Sequence, residues 1–165
     1  MAASASYVLI ASGSQERGRS LSRALEGLRV EGHVIDDVEK LLYVTRAPVS
    51  PAVEGVPAGV PEAVILEHAL AARVPEGLDL VHILRNRQHL AHAPLVYLGP
   101  LDAETEAKVV GSGADAYVTL PTQPAVVRAY VEQLLTRRRA ERDLREALDR
   151  ARRFEQALKE SERMK

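Results

Sequence analysis

The chain has 165 residues, enough for one domain of ordinary size plus an appendage. There is no Cys, which excludes disulfides, thiolate chemistry and Cys-based zinc or iron–sulfur sites. Nearly half the residues are apolar, yet there is no Trp and Phe154 is the single Phe, so the core must be built from Val, Leu, Ile and Ala. No apolar run approaches the ~20 residues that span a bilayer. The N-terminal MAASASYVLIASG lacks a basic n-region, which predicts no signal peptide and a cytoplasmic protein. Net charge is −1 but unevenly placed: from Thr136 onward there are eleven Lys/Arg against seven Asp/Glu, leaving eleven against sixteen before it. Acids interleave with the bases throughout that tail, a pattern more often of a solvated helix surface than of a nucleic-acid-binding face.

Short β-branched runs alternate with longer amphipathic ones. YVLIAS predicts a strand, and Gln15 to Leu28 a helix with Leu21, Leu25 and Leu28 at helical spacing. HVIDD predicts a second strand and Glu39 to Arg46 a short helix. The segment Pro48 to Pro61 is rich in Pro and Gly and reads as a loop, longer than a compact βαβ unit needs. AVILEHAL gives a third strand, and Pro75 to Leu90 a helix with Leu78, Val81, Ile83 and Leu84 on its apolar side. PLVYLGP is a fourth strand. Asp102 to Val110 forms a helix, with Asp102 as N-cap and Gly111 to Gly113 as its stop. DAYVTLP is a fifth strand. A last helix starts near Pro124, which suits a first turn, and meets no breaker before Lys165.

Five β–α pairs in about 135 residues predict a doubly wound, five-stranded parallel sheet with helices on both faces. The apolar runs AVIL and LVYL fit its buried middle. In such sheets ligand chemistry gathers at the carboxyl ends of the strands. That points to Ser12 and Gly13, Asp36 and Asp37, Glu67 and His68, Gly99 and Pro100, and Leu120 and Pro121.

Over residues ~7 to 135 the sequence resembles the receiver (response-regulator) domain of two-component signalling. The resemblance rests on PEAVILEHAL, APLVYLG and GSGADAYVTLPTQPAVVRAYVEQLL. The last resembles the receiver's G-A-x-x-Y-x-x-K-P segment and closing helix, with Gly113, Ala114, Asp115, Tyr117 and Pro121 in register. The resemblance implies a flavodoxin-like fold and a crevice with two acids for Mg²⁺, a phospho-accepting Asp, a Thr or Ser, and a Lys. Charge explains the set: a carboxylate attacks an anionic phosphorus only when a divalent cation and a Lys neutralise the developing charge.

All five positions depart from that pattern. Ser12 and Gly13 stand for the acid pair, Glu67 for the Asp, Gly99 for the hydroxyl residue and Leu120 for the Lys. The expectation is a degenerate pseudo-receiver with no catalytic group, no cofactor and no metal, in which neither Mg²⁺ nor a small phosphodonor acts. Glu67 has two readings: an imitation of a phosphorylated Asp, or a strand-end carboxylate bonded to loop N–H groups or hydrated. The second is favoured, because the Lys and hydroxyl partners that would read a phosphomimic are absent. Tyr117 falls at the receiver's aromatic switch position and is expected to pack with its hydroxyl at the surface. His89 and His92, near His82 and His68, have spacing for a metal but no carboxylate or Cys to complete it. Gly13 to Gly18 and Gly111 to Gly113 lack the features of phosphate-binding loops.

In the last helix, Val126, Val127, Tyr130, Val131 and Leu134 form a face that can pack on a sheet. RRRAERD interrupts the pattern. Leu144, Ala147, Ala151, Phe154, Leu158 and Ser161 then step by three and four, a heptad seam flanked by Leu148. Glu141 with Arg145 and Glu155 with Lys159 supply helix-stabilising pairs. Arg150 and Glu155 take g and following e positions, which meet across a parallel interface. A polar helix of this length is marginal alone, so homodimerisation by a parallel coiled coil is expected. The ending ALKESERMK resembles signalling helices that lead into histidine-kinase dimerisation domains. The division is then a pseudo-receiver over 1–135 and a coiled-coil signalling helix over 136–165. Its expected work is protein–protein regulation, relayed to an output module such as a histidine kinase. A small-ligand- or nucleotide-binding regulatory domain using the strand-end crevice is the alternative. Association with nucleic acid through Arg137 to Arg139 is a third and weaker reading.

Overall fold

The computed structural model describes residues 6–47, 56–57, 59–75 and 78–164. Most of the Pro48–Pro61 loop lies outside the described residues. The strands are β1 (Tyr7–Ala11), β2 (Glu31–Ile35), β3 (Ala63–Glu67), β4 (Leu95–Gly99) and β5 (Ala116–Thr119). They form one parallel sheet in the order β2-β1-β3-β4-β5. Every residue of β1, β3 and β4 is buried, as expected of strands covered on both faces.

Alternation along the strands sorts the core into two layers. Leu9, Ala11, Val64, Leu66, Leu95 and Tyr97 face helices α2 (Val38–Val44), α3 (His68–Ala71), α4 (Leu80–Arg85) and α5 (Ala103–Gly111). Val8, Ile10, Ile65, Val96, Leu98 and Val118 face α1 (Gln15–Ala24) and α6 (Pro124–Arg163). Four helices begin on an oxygen cap: Ser14, Asp37, Asp79 and Asp102 each accept from a backbone N–H of the first turn.

Three expectations are corrected. HVIDD lies late: β2 starts at Glu31 and ends at Ile35, so that Asp37 is free to cap α2. The third strand stops at Glu67, and His68 opens α3 instead of continuing the strand. The helix predicted from Pro75 to Leu90 is a six-residue α4, capped by Asp79, followed by a 3-10 turn at Gln88–Leu90. Asp79 arrests any earlier start by taking the N–H groups of Val81 and His82.

The final helix is continuous for 40 residues, about 60 Å long. Val127, Val131 and Leu135 are its buried residues. Farther along, polar contacts hold it to the body. Arg138 donates to the carbonyl of His92, and Arg142 lies 3.7 Å from Glu62. From Glu141 to Met164 every residue is exposed.

Candidate functional site

The crevice forms where β1 and β3 diverge toward opposite neighbours, at their carboxyl ends. Ser12 follows β1 and is fully buried, and its N–H is held by the carbonyl of Ile35. Glu67 closes β3 and is 3 % exposed. The Ser12 hydroxyl lies 3.0 Å from Glu67 Oε2 and 2.9 Å from the carbonyl of Ser14.

A carboxylate this buried needs a counter-charge. It comes from Arg17, in the first turn of α1. Arg17 Nη2 donates to Oε1 at 2.6 Å, and Nε reaches Oε1 at 3.1 Å and Oε2 at 3.3 Å. The hydrogen bond and charge of Glu67 raise the already high pKa of Arg17. Glu67 supplies the backbone N-cap of α3 but makes no side-chain cap bond, since its carboxylate is turned to Arg17.

A second guanidinium crosses the mouth of the crevice. Arg73, just past α3, donates to the carbonyl of Gly13 at 2.9 Å and to that of Asp36 at 3.0 Å. It ties the loops after β1 and β2 together and sets a positive charge beside them. Sequence reasoning found neither arginine, and expected Glu67 to be bonded to loop N–H groups or water. Its partners are side chains, a hydroxyl and a guanidinium. The available signal was Arg17 itself: a base in the first turn of a helix opposes the macrodipole and calls for a specific anionic partner.

At the other end of the crevice, Leu120 turns toward the α1/α6 core layer, and its N–H donates to the carbonyl of Gly99 at 2.7 Å. With Arg17, Glu67, Leu98 and Pro124 it lines a small cleft of about 140 Å³. Gly99 has no side chain because Tyr117 takes that space: a Cβ there would lie 2.3 Å from the Tyr117 hydroxyl. Tyr117 stacks on Tyr97 at 5.6 Å between centroids and donates to the carbonyl of Pro100 at 2.6 Å. Tyr97 in turn shares a 2.7 Å hydrogen bond with His68 Nδ1. Burial pushes the Tyr97 phenol up to about 12, with Tyr117 and Asp79 adding to the rise. Burial likewise raises Tyr117, with Glu106 and Asp102 adding to it. Tyr117 is thus half-buried and packed with its hydroxyl engaged at the surface.

Beside His68 and Tyr97 lies a cavity of about 330 Å³, bounded also by Asp79, Thr105 and Lys108. Among the described residues no three His, Cys, Asp or Glu side chains gather as metal ligands. His68 is engaged by Tyr97 and His82 by Asn86. The seam residues Leu144, Leu148, Phe154 and Leu158 are 50–67 % exposed, and Ala147 and Ala151 lie exposed beside them. Among the described residues no helix is long and apolar enough to cross a membrane.

Sheet order, helix placement and crevice define a receiver fold. No protein-family model matches the chain, and no curated protein matches it in sequence. Solved structures do. The receiver domain of the Francisella response regulator 1452 is 20 % identical with a TM-score of 0.59, over 80 % of this chain and 98 % of that one. The signal receiver domain of a histidine kinase from Syntrophus aciditrophicus is 19 % identical with a TM-score of 0.61, over 80 % and 91 %. The receiver domain of a sensor histidine kinase from Pseudomonas aeruginosa, which holds a magnesium ion in its active-site cleft, is 12 % identical with a TM-score of 0.59, over 79 % and 98 %.

Proposed function

We propose that this chain is a regulatory module with a receiver fold that works without phosphorylation. It pairs with a second copy through the exposed part of α6 and passes a conformational bias along that helix to an output module such as a histidine kinase. One observation carries the reading. The carboxylate at the phospho-acceptor position is already spent, held by Arg17 and by Ser12 at a position where a receiver carries an acid. The oxygens that would attack phosphorus are acceptors in an internal ion pair. The carbonyls of Gly13 and Asp36 are bonded to Arg73. A Mg²⁺ ion would find one committed carboxylate, where it prefers several hard oxygen ligands in octahedral array.

The test is incubation of the full chain with Mg²⁺ and a radiolabelled small phosphodonor, followed by acid-stable and acid-labile label counting. The module takes up no label. Label on Glu67 overturns the reading. A second reading, a small-ligand-binding regulatory domain, draws on the cavity beside His68 and Tyr97. Under it, a small polar ligand raises the melting temperature of the wild type and not of Tyr97→Phe.

A further inference from the structure

The apolar seam recognised in the sequence begins at Leu144, and alone it is short. Leu144 to Ser161 is about two and a half heptads, with Ala147, Ala151 and Ser161 at core positions, below the three to four heptads that a stable coiled coil sustains. The exposed surface of α6 extends farther toward its N-terminus.

Stepping back from Leu144 in the same register gives Ala140, Arg137, Gln133, Tyr130 and Val126. The heptad phase is unbroken across RRRAERD, because α6 is one helix with no interruption from Pro124 to Arg163. All eleven a and d positions from Val126 to Ser161 are exposed. Val126 at 41 % and Tyr130 at 39 % are exposed large apolar residues although they belong to the folded body.

The side of α6 that holds the body is a different one. Val127, Val131 and Leu135 are buried with Leu134 packed beside them, Arg128 bonds the carbonyls of Ala24 and Glu26, Arg138 bonds His92 and Arg142 pairs with Glu62. At 100° per residue these seven fall within about 120° of arc, and the exposed stripe is centred roughly 160° from the middle of that arc. A second helix lying along the stripe would approach α6 from the side opposite Val127, Val131 and Leu135.

We infer that two copies of this chain pair in parallel along α6 from Val126 to Ser161, about five heptads, with the folded bodies on opposite outer sides of a continuous two-helix stem. This rests on the dimeric reading above and goes beyond it. The dimer contact starts inside the folded domain, at Val126 and Tyr130, and not at the end of it. Gln133 and Arg137 form a polar stretch in that seam. Polar core positions fix register at a cost in affinity, and Arg137 already has Glu141 at 3.3 Å on its own helix. Farther along, Arg150 at g faces Glu155 at e of the partner helix, the charge pairing that a parallel register requires.

Because the chain has no Cys, single-cysteine variants report this geometry cleanly. Leu158→Cys samples the distal seam, Tyr130→Cys and Gln133→Cys the seam within the body, and Glu132→Cys an exposed position off the seam. Facing a or d positions in a two-stranded coil bring Cα atoms into the range of about 4.4–6.8 Å that a disulfide spans. Under mild oxidation the full-length Leu158, Tyr130 and Gln133 variants are expected to cross-link to covalent dimers at least about tenfold faster than Glu132→Cys. Circular dichroism checks that each is folded. Cross-linking at Leu158 without cross-linking at Tyr130 or Gln133 overturns the extended seam and leaves the dimer intact. Cross-linking at none of the three removes the dimer as well. Equal rates at Glu132 mean random collision and overturn both.

Discussion

The ion pair in the crevice supports a quantitative prediction. Glu67 has 4 % of its side-chain surface exposed, whereas Arg17 has 57 %. Breaking a fully buried pair costs ~3–5 kcal/mol, and an exposed pair is worth ~0–1 kcal/mol. One buried and one half-exposed partner place this pair between, at about 2 kcal/mol. The two halves are not equivalent. Arg17→Met keeps the aliphatic stem but strands a buried carboxylate with only the Ser12 hydroxyl, so it loses about 2–3 kcal/mol. Glu67→Gln removes the buried charge and leaves Arg17 able to turn to water, so it loses about 1 kcal/mol. Once Glu67→Gln is present, Arg17→Met costs little more. Urea unfolding of the wild type, both single variants and the double variant closes a double-mutant cycle. With a slope of about 2 kcal/mol per M, Arg17→Met lowers the midpoint by about 1 M. A coupling below about 0.5 kcal/mol, or Glu67→Gln costing more than Arg17→Met, refutes the claim that a buried charge is being compensated.

Three further outcomes follow from the aromatic wall of the crevice and from the packing of α1 on the sheet. Gly99→Ala places a methyl group into the Tyr117 ring, which swings outward and loses its stack on Tyr97 and its bond to Pro100. The expected loss is about 1–2 kcal/mol, by the worth of one hydrogen bond and one aromatic pair, with a shift of the Tyr97 ring resonances in NMR. Unchanged Tyr97 shifts would contradict it. Alkaline difference titration of wild type against Tyr97→Phe should isolate a phenol ionising near pH 12. Because the folded state holds that proton more tightly than the unfolded chain does, the linked stability is fully present below about pH 10 and lost between pH 10 and 12. A Tyr97 ionisation near 10 would contradict this. Finally, Gly18→Ala should destabilise the fold by about 1–2 kcal/mol, since overpacking outweighs the gain in helix propensity. Its Cβ would meet Val34 Cγ1 at 2.3 Å, Cγ2 at 3.1 Å and Cβ at 3.3 Å, so turning Val34 removes the worst contact but leaves the site overpacked. A rise in melting temperature would contradict this.

The parts of the fold set by local chemistry were legible in the sequence. The apolar runs of β1, β3 and β4 announce strands buried on two faces. Asp102 and Pro124 mark helix starts by capping and by a missing N–H. The long final helix is visible because nothing breaks it. His68 was misread because HAL carries no cap signal: α3 opens on the backbone of Glu67, whose side chain is drawn away to Arg17. The shortened α4 reflects a competition that periodicity does not record, Asp79 capping inside an apolar pattern. The candidate site was half legible. The strand ends can be read from the apolar runs, and the choice of Ser12, Gly13, Glu67, Gly99 and Leu120 among them rests on the resemblance to receivers. The groups that answer them come from elsewhere. Arg17 reaches in from a helix fifty residues away in the chain, Arg73 crosses from beyond α3, and Tyr117 fills the space above Gly99. Such pairings depend on how elements pack and leave only indirect marks, such as a base placed against a helix dipole.

The most direct test of phosphorylation-independent dimerisation is the solution mass of the full chain by light scattering, measured with and without Mg²⁺ and a small phosphodonor. The account predicts twice the single-chain mass in both conditions. A monomer that pairs only when the phosphodonor is present would contradict it.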